Sequence, residues 1–412
     1  MKPIELLAPA GSFEKAKTAF LYGADAVYCG TSSLSLRTRA DMGNEDLIKT
    51  IEYAHQIGKK VYVTLNIFAW DEKYPEIIEM AKILEEIRPD GIIASDGGVM
   101  EILKQYAPHV DIHVSTQANV VSLQAANFWY KNGAKRMVMG RELNKEQLTY
   151  IMKNKPEDME IEVFIHGALC FAYSGRCFLS DFLSGRSANL GSCSQSCRWS
   201  YQLYAEEANN PGEYMPIEEN EYGTSIFSSK DLCLIKEIPE MIQMGIDSLK
   251  IEGRLKTDYY IASVVSSYRA AIDDYQKDPD HYDYTKYLTE LEKVKTRKYT
   301  TYYFNDRNNQ ELQDYSGKQY NENYEFGGKV IRQEEGKVML EIKNKLQVGD
   351  EMEILIPGKL TPYPFTINEL WDSETQEEIT SVSPGVKGQQ VIMTIPIPVE
   401  KDWILRRKKV TA

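Results

Sequence analysis

The stretch YGADAVYCG (residues 22–30) leaves a helical pattern through a glycine and runs at once into short apolar sequence. The same phrasing returns in RPDGIIASD (88–96) and NGAKRMVMG (132–140). Each reads as a short helix-to-strand connection with a glycine near the helix end. Working outward, β-type runs recur at 4–7, 26–29, 61–65, 91–94, 112–115, 136–139, 160–165 and 248–251. Between them, segments 12–21, 44–57, 74–87, 97–106, 122–132 and 145–153 place apolar residues at three- and four-residue spacing, the period of an amphipathic helix. Strand–helix alternation means parallel strands joined by right-handed crossovers. Eight such strands favour a TIM-like (β/α)8 barrel, an α/β fold, over a doubly wound sheet.

The chain of 412 residues has room for such a barrel, about 250 residues, and an appended module. With 42% hydrophobic and 26% charged residues it can bury a real core, which excludes a disordered or fibrous protein. The N-terminus MKPIELLAPAGSFEKAK lacks the apolar stretch of a signal peptide. No segment approaches the ~18 apolar residues of a membrane span, so the expectation is a cytoplasmic protein with no membrane partner. The net charge of −13 argues against unspecific adhesion to nucleic acid but leaves room for a local basic groove.

Between the seventh and eighth strands lie about 80 residues, where a connection usually takes about 2–6. This long insertion, 167–246, holds all the clustered cysteines and an acidic patch, 206–221, expected to be a solvated excursion. The barrel is expected over 1–277, a tyrosine-rich connection over 278–325, and a small antiparallel β-barrel over 326–412. In that last part, alternating runs at 328–332, 337–342, 351–356, 363–367 and 390–395 are separated by Gly- and Pro-containing turns.

In a barrel of this kind chemistry belongs at the C-terminal ends of the strands. Those ends carry Asn66, Ser95-Asp96, Ser115-Thr116-Gln117, Arg141-Glu142, His166-Gly167 and Glu252-Gly253-Arg254. Buried polar groups cost free energy unless paired, so such a ring points to a binding site. Helix capping would account for Asp96 and Ser12 but explains Arg141 and Arg254 less well. His166 and Glu252, ending the last two strands, are candidates to move a proton or orient a ligand, and Asn66 and Gln117 to read a base edge or a carboxylate.

Six cysteines are too few for a disulfide scaffold. Cys29 stands alone and reads as a small buried residue. Cys170, Cys177, Cys193, Cys197 and Cys233 follow the spacing C-x6-C-x15-C-x3-C-x35-C, which is not a zinc-ribbon pattern. Four cysteines from separate loops suit an iron–sulfur cluster; zinc, or cysteines without a ligand, stay open on spacing alone.

The segment EVFIHGALCFAYSGRCFLS (162–180) matches the signature of the collagenase-like peptidase family U32. LLAPAGS, GADAVYCG, LRTRA, VYVTLNIF, VSTQANV, CSQSCRWSY, SSKDLCLI and SLKIEGRLK resemble that family in the same order, so the resemblance runs through essentially the whole chain. It is strongest to the branch that hydroxylates tRNA in a prephenate-dependent, oxygen-independent reaction giving 5-hydroxyuridine at the wobble position. The resemblance implies a (4Fe-4S) cluster held by Cys170, Cys177, Cys193 and Cys233, with Cys197 the alternative to Cys193. It further implies tRNA, through its anticodon loop, as partner, prephenate as a small dicarboxylate co-substrate, and an electron donor or paralogous partner protein.

The two carboxylates of prephenate call for arginine forks, and Arg39, Arg141 and Arg254 are the candidates. For RNA, the basic run Lys293, Lys295, Arg297 and Lys298, followed by Tyr299, Tyr302, Tyr303 and Phe304, offers phosphate contacts beside stacking rings, and 406–409 (RRKK) offers a second run. Alternatives are a peptidase or a hydroxylation factor for a quinone precursor. Proteolysis has little to work with: five histidines, no H-E-x-x-H, and His166 with Cys170 as the sole candidate dyad.

Overall fold

Parallel strands that are covered on both faces must be apolar on both, and the chain supplies such runs in order. The computed structural model describes residues 3–31, 34–35, 41–170, 172, 176–199, 201, 203–206, 211–212, 214–217, 229–305, 323–385 and 389–409. Eight strands close a ring: β1 (Glu5–Pro9), β2 (Ala26–Thr31), β3 (Lys60–Leu65), β4 (Gly91–Ala94), β5 (Ile112–Val114), β6 (Ala134–Val138), β7 (Glu160–Ala168) and β8 (Ser248–Ile251). Each pairs in parallel with the next, and β8 pairs with both β7 and β1, which closes the barrel. The (β/α)8 expectation is met, strand for strand.

The helices are α1 (Phe13–Leu21), α2 (Asn44–Gln56), α3 (Tyr74–Ile87), α4 (Gly97–Tyr106), α5 (Leu123–Lys131), α6 (Lys145–Asn154), α7 (Leu179–Ser184), α8 (Ile238–Met244), α9 (Asp258–Lys277) and α10 (Thr285–Leu291). Local chemistry starts several of them. The Asp96 side chain accepts from Val99 N–H at the head of α4, Ser122 caps α5, and Asn144 with Gln147 forms a capping box on α6. Asp96 is therefore a helix cap, as the plainer of its two readings has it. No helix among the described residues is long and apolar enough to cross a membrane.

The chain divides into two compact units. One comprises residues 1–13, 25–255 and 297–319 and contains all eight barrel strands; the other comprises 14–24, 256–296 and 320–412. In the second, seven strands form an antiparallel half-barrel: β9 (Tyr324–Glu334), β10 (Lys337–Ile342), β11 (Glu351–Leu355), β12 (Tyr363–Thr366), β13 (Leu370–Asp372), β14 (Gln390–Thr394) and β15 (Ile404–Lys408). Their order is β12-β11-β15-β9-β10-β14-β13, around a core that includes Val338, Leu340, Ile354, Met393 and Leu405.

β15 corrects the reading of 406–409 as a basic surface run. Strand alternation turns Arg406 inward, fully buried, onto Glu290 and Glu353, while Arg407 pairs with Asp350 and Glu325. In and beside the acidic stretch, Leu203–Glu206 and Tyr214–Ile217 pair antiparallel, and 207–210, 213 and 218–221 lie outside the described residues.

Candidate active site

Below the mouth, the barrel lumen is charged. The Arg136 guanidinium (β6) donates to Glu5 at 2.6 Å, Glu160 at 2.8 Å and Glu162 at 3.2 Å. Lys250 (β8) donates to the other oxygen of Glu162 at 2.6 Å and lies over the Tyr28 ring. Tyr62 and Ser248 hydroxyls also donate to Glu5. Burial pushes the Glu5 carboxyl up, but Arg136 and these hydroxyls outweigh it and hold it below its ordinary value. His113, fully enclosed beside Tyr62, is driven well below its ordinary value by burial and by the charges of Arg136, Lys250 and Lys60, so its imidazole is neutral.

This network was not read from the sequence. Its signal was present as charges at alternate strand positions, Glu160 and Glu162 in EIEVFI and Lys250 in SLKI, where a lumen-facing register puts them together.

At the strand ends the partners change. Arg254, buried, donates to the hydroxyls of Thr64 at 3.0 Å and Ser35 at 3.3 Å. Thr64 and Asn66 stand two residues apart on and just past β3, hence on one face. Asn66 donates to Ser115 Oγ, and that hydroxyl donates to Gln117 Oε1, both at 3.3 Å. The direction of this chain leaves Gln117 presenting its amide Nε2, which is buried and has no acceptor among the described residues. An orphaned buried donor is costly and is expected where a ligand oxygen completes it.

Glu252 accepts from the Tyr28 hydroxyl at 3.2 Å, and its N–H donates to the His166 carbonyl. Gly167 has φ +108°, and a Cβ there would lie 2.6 Å from the Glu252 carbonyl oxygen, so only glycine admits this approach. Arg141 donates to the Ala168 carbonyl at 2.9 Å and lies over Phe164; burial raises the Tyr302 hydroxyl, with Tyr303 and Glu142 adding to the effect and Arg141 opposing it. The structure thus gathers Asn66, Gln117 and Arg254 with Ser35, Thr64 and Ser115, and sets His166 beside Glu252. Arg39 lies outside the described residues.

The predicted RNA run is divided. Arg297 is buried, its guanidinium on the Ser229 carbonyl, and Lys293 bridges Glu290 and Glu353. Lys295 and Lys298 are exposed.

Strand pairing places Cys233 beside this mouth. β7 runs past the barrel, and the short strand Asp231–Cys233 pairs antiparallel with its end, aligning Cys233 with His166. The Cys197 thiol is raised by burial, opposed by Arg198, and raised further by the thiols of Cys170, Cys193 and Cys177, so these four share one electrostatic neighbourhood. The Gln195 N–H donates to Cys193 Sγ at 3.4 Å. Among the described residues no three Cys, His, Asp or Glu side chains close around one point as the ligands of a single ion do. By the chemistry of its donors, an all-thiol set would fit an iron–sulfur cluster.

Comparison with known proteins agrees with the architecture. Residues 11–314 match peptidase family U32, and 322–406 match the family's C-terminal domain. The chain is similar to the tRNA hydroxylation protein P1 of Bacillus subtilis, 41% identical over 91% of this chain and 89% of that one. It is similar to the tRNA hydroxylation protein P of Escherichia coli, 36% identical over 97% and 96% of the two chains. A collagenase of Porphyromonas gingivalis is 33% identical over 95% of this chain and 94% of its own. With both regions matched in order and near-complete coverage of these relatives, the chain belongs to peptidase family U32.

Proposed function

We propose that the protein hydroxylates the wobble uridine of tRNA at C5, giving 5-hydroxyuridine, with a (4Fe-4S) cluster, prephenate as co-substrate and no molecular oxygen. The observation that carries this reading is a barrel mouth lined by Arg254, Asn66 and Gln117, with Cys233 paired against His166 at its edge and the other clustered cysteines in the adjoining insertion. The relatives named for tRNA hydroxylation support RNA modification as the reaction class.

Cys170, Cys177, Cys193 and Cys233 would hold the cluster, with Cys197 in reach of the third position. When bound, such a cluster supplies one-electron chemistry. The protein's own groups supply the rest. Arg254 and Arg141 offer their guanidinium groups to the carboxylates of the co-substrate, with Arg39 a further candidate. The Gln117 amide donates to a ligand oxygen, its orientation set by Ser115 and Asn66. Glu252, steadied by Tyr28, and His166 hold or move a proton at the pyrimidine. Replacing the C5–H of uridine by C5–OH removes two electrons, so with no molecular oxygen the co-substrate or a redox partner protein must accept them.

The test is nucleoside mass spectrometry of tRNA from a host lacking 5-hydroxyuridine. Expression of the wild-type chain should restore the nucleoside, and Arg254→Ala should abolish it with iron content unchanged. No restoration by the wild type would refute the function; full activity in the variant would refute the role of Arg254.

A further inference from the structure

Phenylalanine and tryptophan are among the costliest residues to leave in water. In the cysteine-bearing insertion, Phe178 is 74% exposed, Phe182 85% and Trp199 41%. Their placement is fixed from within. Ser180, buried between the two phenylalanines in sequence, exchanges hydrogen bonds with the Ser194 backbone N–H and hydroxyl, which ties α7 to the segment carrying Cys193. The Trp199 indole N–H donates to the Ser194 carbonyl, bringing the third ring to the same anchor. Phe178 and Phe182 are four residues apart at and within α7, the Phe182 N–H donating to the Phe178 carbonyl, so they share one face.

Charge selects the occupant. Residues 168–201 contain three arginines (Arg176, Arg186, Arg198) and one acid (Asp181), net +2 by subtraction, in a chain of net −13. A net basic segment that exposes aromatic rings has the chemistry to bind a single-stranded nucleic acid: every base offers a face to stack on, and the phosphates meet the cations. The insertion is tied to the mouth by Arg176 Nε on the Gln117 carbonyl at 3.2 Å, and within it Arg198 donates to the Leu169 carbonyl at 2.7 Å.

Resting on the proposed tRNA reaction, we propose that Phe178, Phe182 and Trp199, with Arg176 and Arg186, form a stacking platform for the unpaired bases of the RNA loop. This platform, rather than the run 293–298, delivers a base to the mouth. Loops suit it because their bases can be splayed out of the stack.

The experiment measures binding of a synthetic anticodon stem–loop RNA, and of a blunt RNA duplex, to the anaerobically purified full chain. Phe178→Ala, Phe182→Ala and Trp199→Ala are each expected to weaken stem–loop binding about tenfold, roughly 1.4 kcal/mol, with duplex binding and iron content unchanged. Arg176→Gln with Arg186→Gln should flatten the salt dependence. Stem–loop affinity equal to wild type in the ring variants would overturn the platform. So would loss of iron alongside affinity, which assigns the rings to holding the insertion together. If the variants instead abolish self-association seen by sedimentation, the rings serve a second copy and the platform falls. Absence of any stem–loop binding by the wild type would remove the tRNA reading itself, and the platform with it.

Discussion

In the barrel lumen, Arg136 meets Glu5, Glu160 and Glu162, and Lys250 meets Glu162, so the buried charges neutralise one another. A few residues further along the same strands, Arg254 meets the hydroxyls of Thr64 and Ser35, and the Gln117 amide meets no acceptor. The difference separates structure from function: in the lumen the charged side chains meet one another, with only the neutral His113 Nδ1 lacking a partner among the described residues, whereas at the mouth a buried amide donor is left for a ligand oxygen. Three substitutions and conditions sharpen or break this contrast.

The largest effect belongs to the lumen. Arg136→Met takes the arginine from Glu5 and from the fully buried Glu162, leaving them Tyr62, Ser248 and Lys250, and removing one partner of a buried network costs about 3–5 kcal/mol. Urea denaturation should register that loss; a cost near zero would mean the lumen charges are not structural.

Next comes acid. His113 is neutral in the fold, while in the unfolded chain it binds a proton below about 6.5. The unfolded state therefore takes up the extra proton, and stability falls as pH drops below that value, by at most ~1.4 kcal/mol per pH unit. Glu5, held low, adds a loss in the same direction at lower pH, as the pH falls through its folded value. His113→Gln should flatten the upper part of this slope in thermal melts at stepped pH; an unchanged slope would place the proton uptake elsewhere.

The smallest stability effect belongs to the mouth. Gln117→Leu removes a buried donor that lacks an acceptor but also the oxygen that accepts from Ser115, so stability should fall by about 1 kcal/mol while tRNA modification is lost. A large destabilisation with activity retained would reverse the assignment of mouth and lumen.

The barrel was legible because its signals are local. Runs such as those at 91–94 and 248–251, each entered through a short turn, show strands without knowledge of what they face. The ring of strand-end residues followed from that order, and Asn66, Gln117 and Arg254 do come together. What escaped was set by partners distant in sequence. Arg136 and Glu5 are 131 positions apart, and only closure of the ring puts them in one lumen. Arg406 reads as part of a basic tail until β15 pairs with β9 and β11 and turns it inward. Arg297 likewise reads as a surface cation until the Ser229 carbonyl claims it. The aromatic rim of the insertion escaped for the opposite reason: FLSDFL looks like ordinary amphipathic helix, and only its exposure marks it.

The central claim is that the mouth carries a redox cluster. Anaerobic purification followed by iron, acid-labile sulfide and zinc analysis tests it most directly, alongside the Cys170→Ala/Cys177→Ala double variant. About four irons and four sulfides per chain, lost in the variant, are expected for a four-iron cluster held by thiolates. Stoichiometric zinc, or no metal under strictly anaerobic handling, would contradict the account.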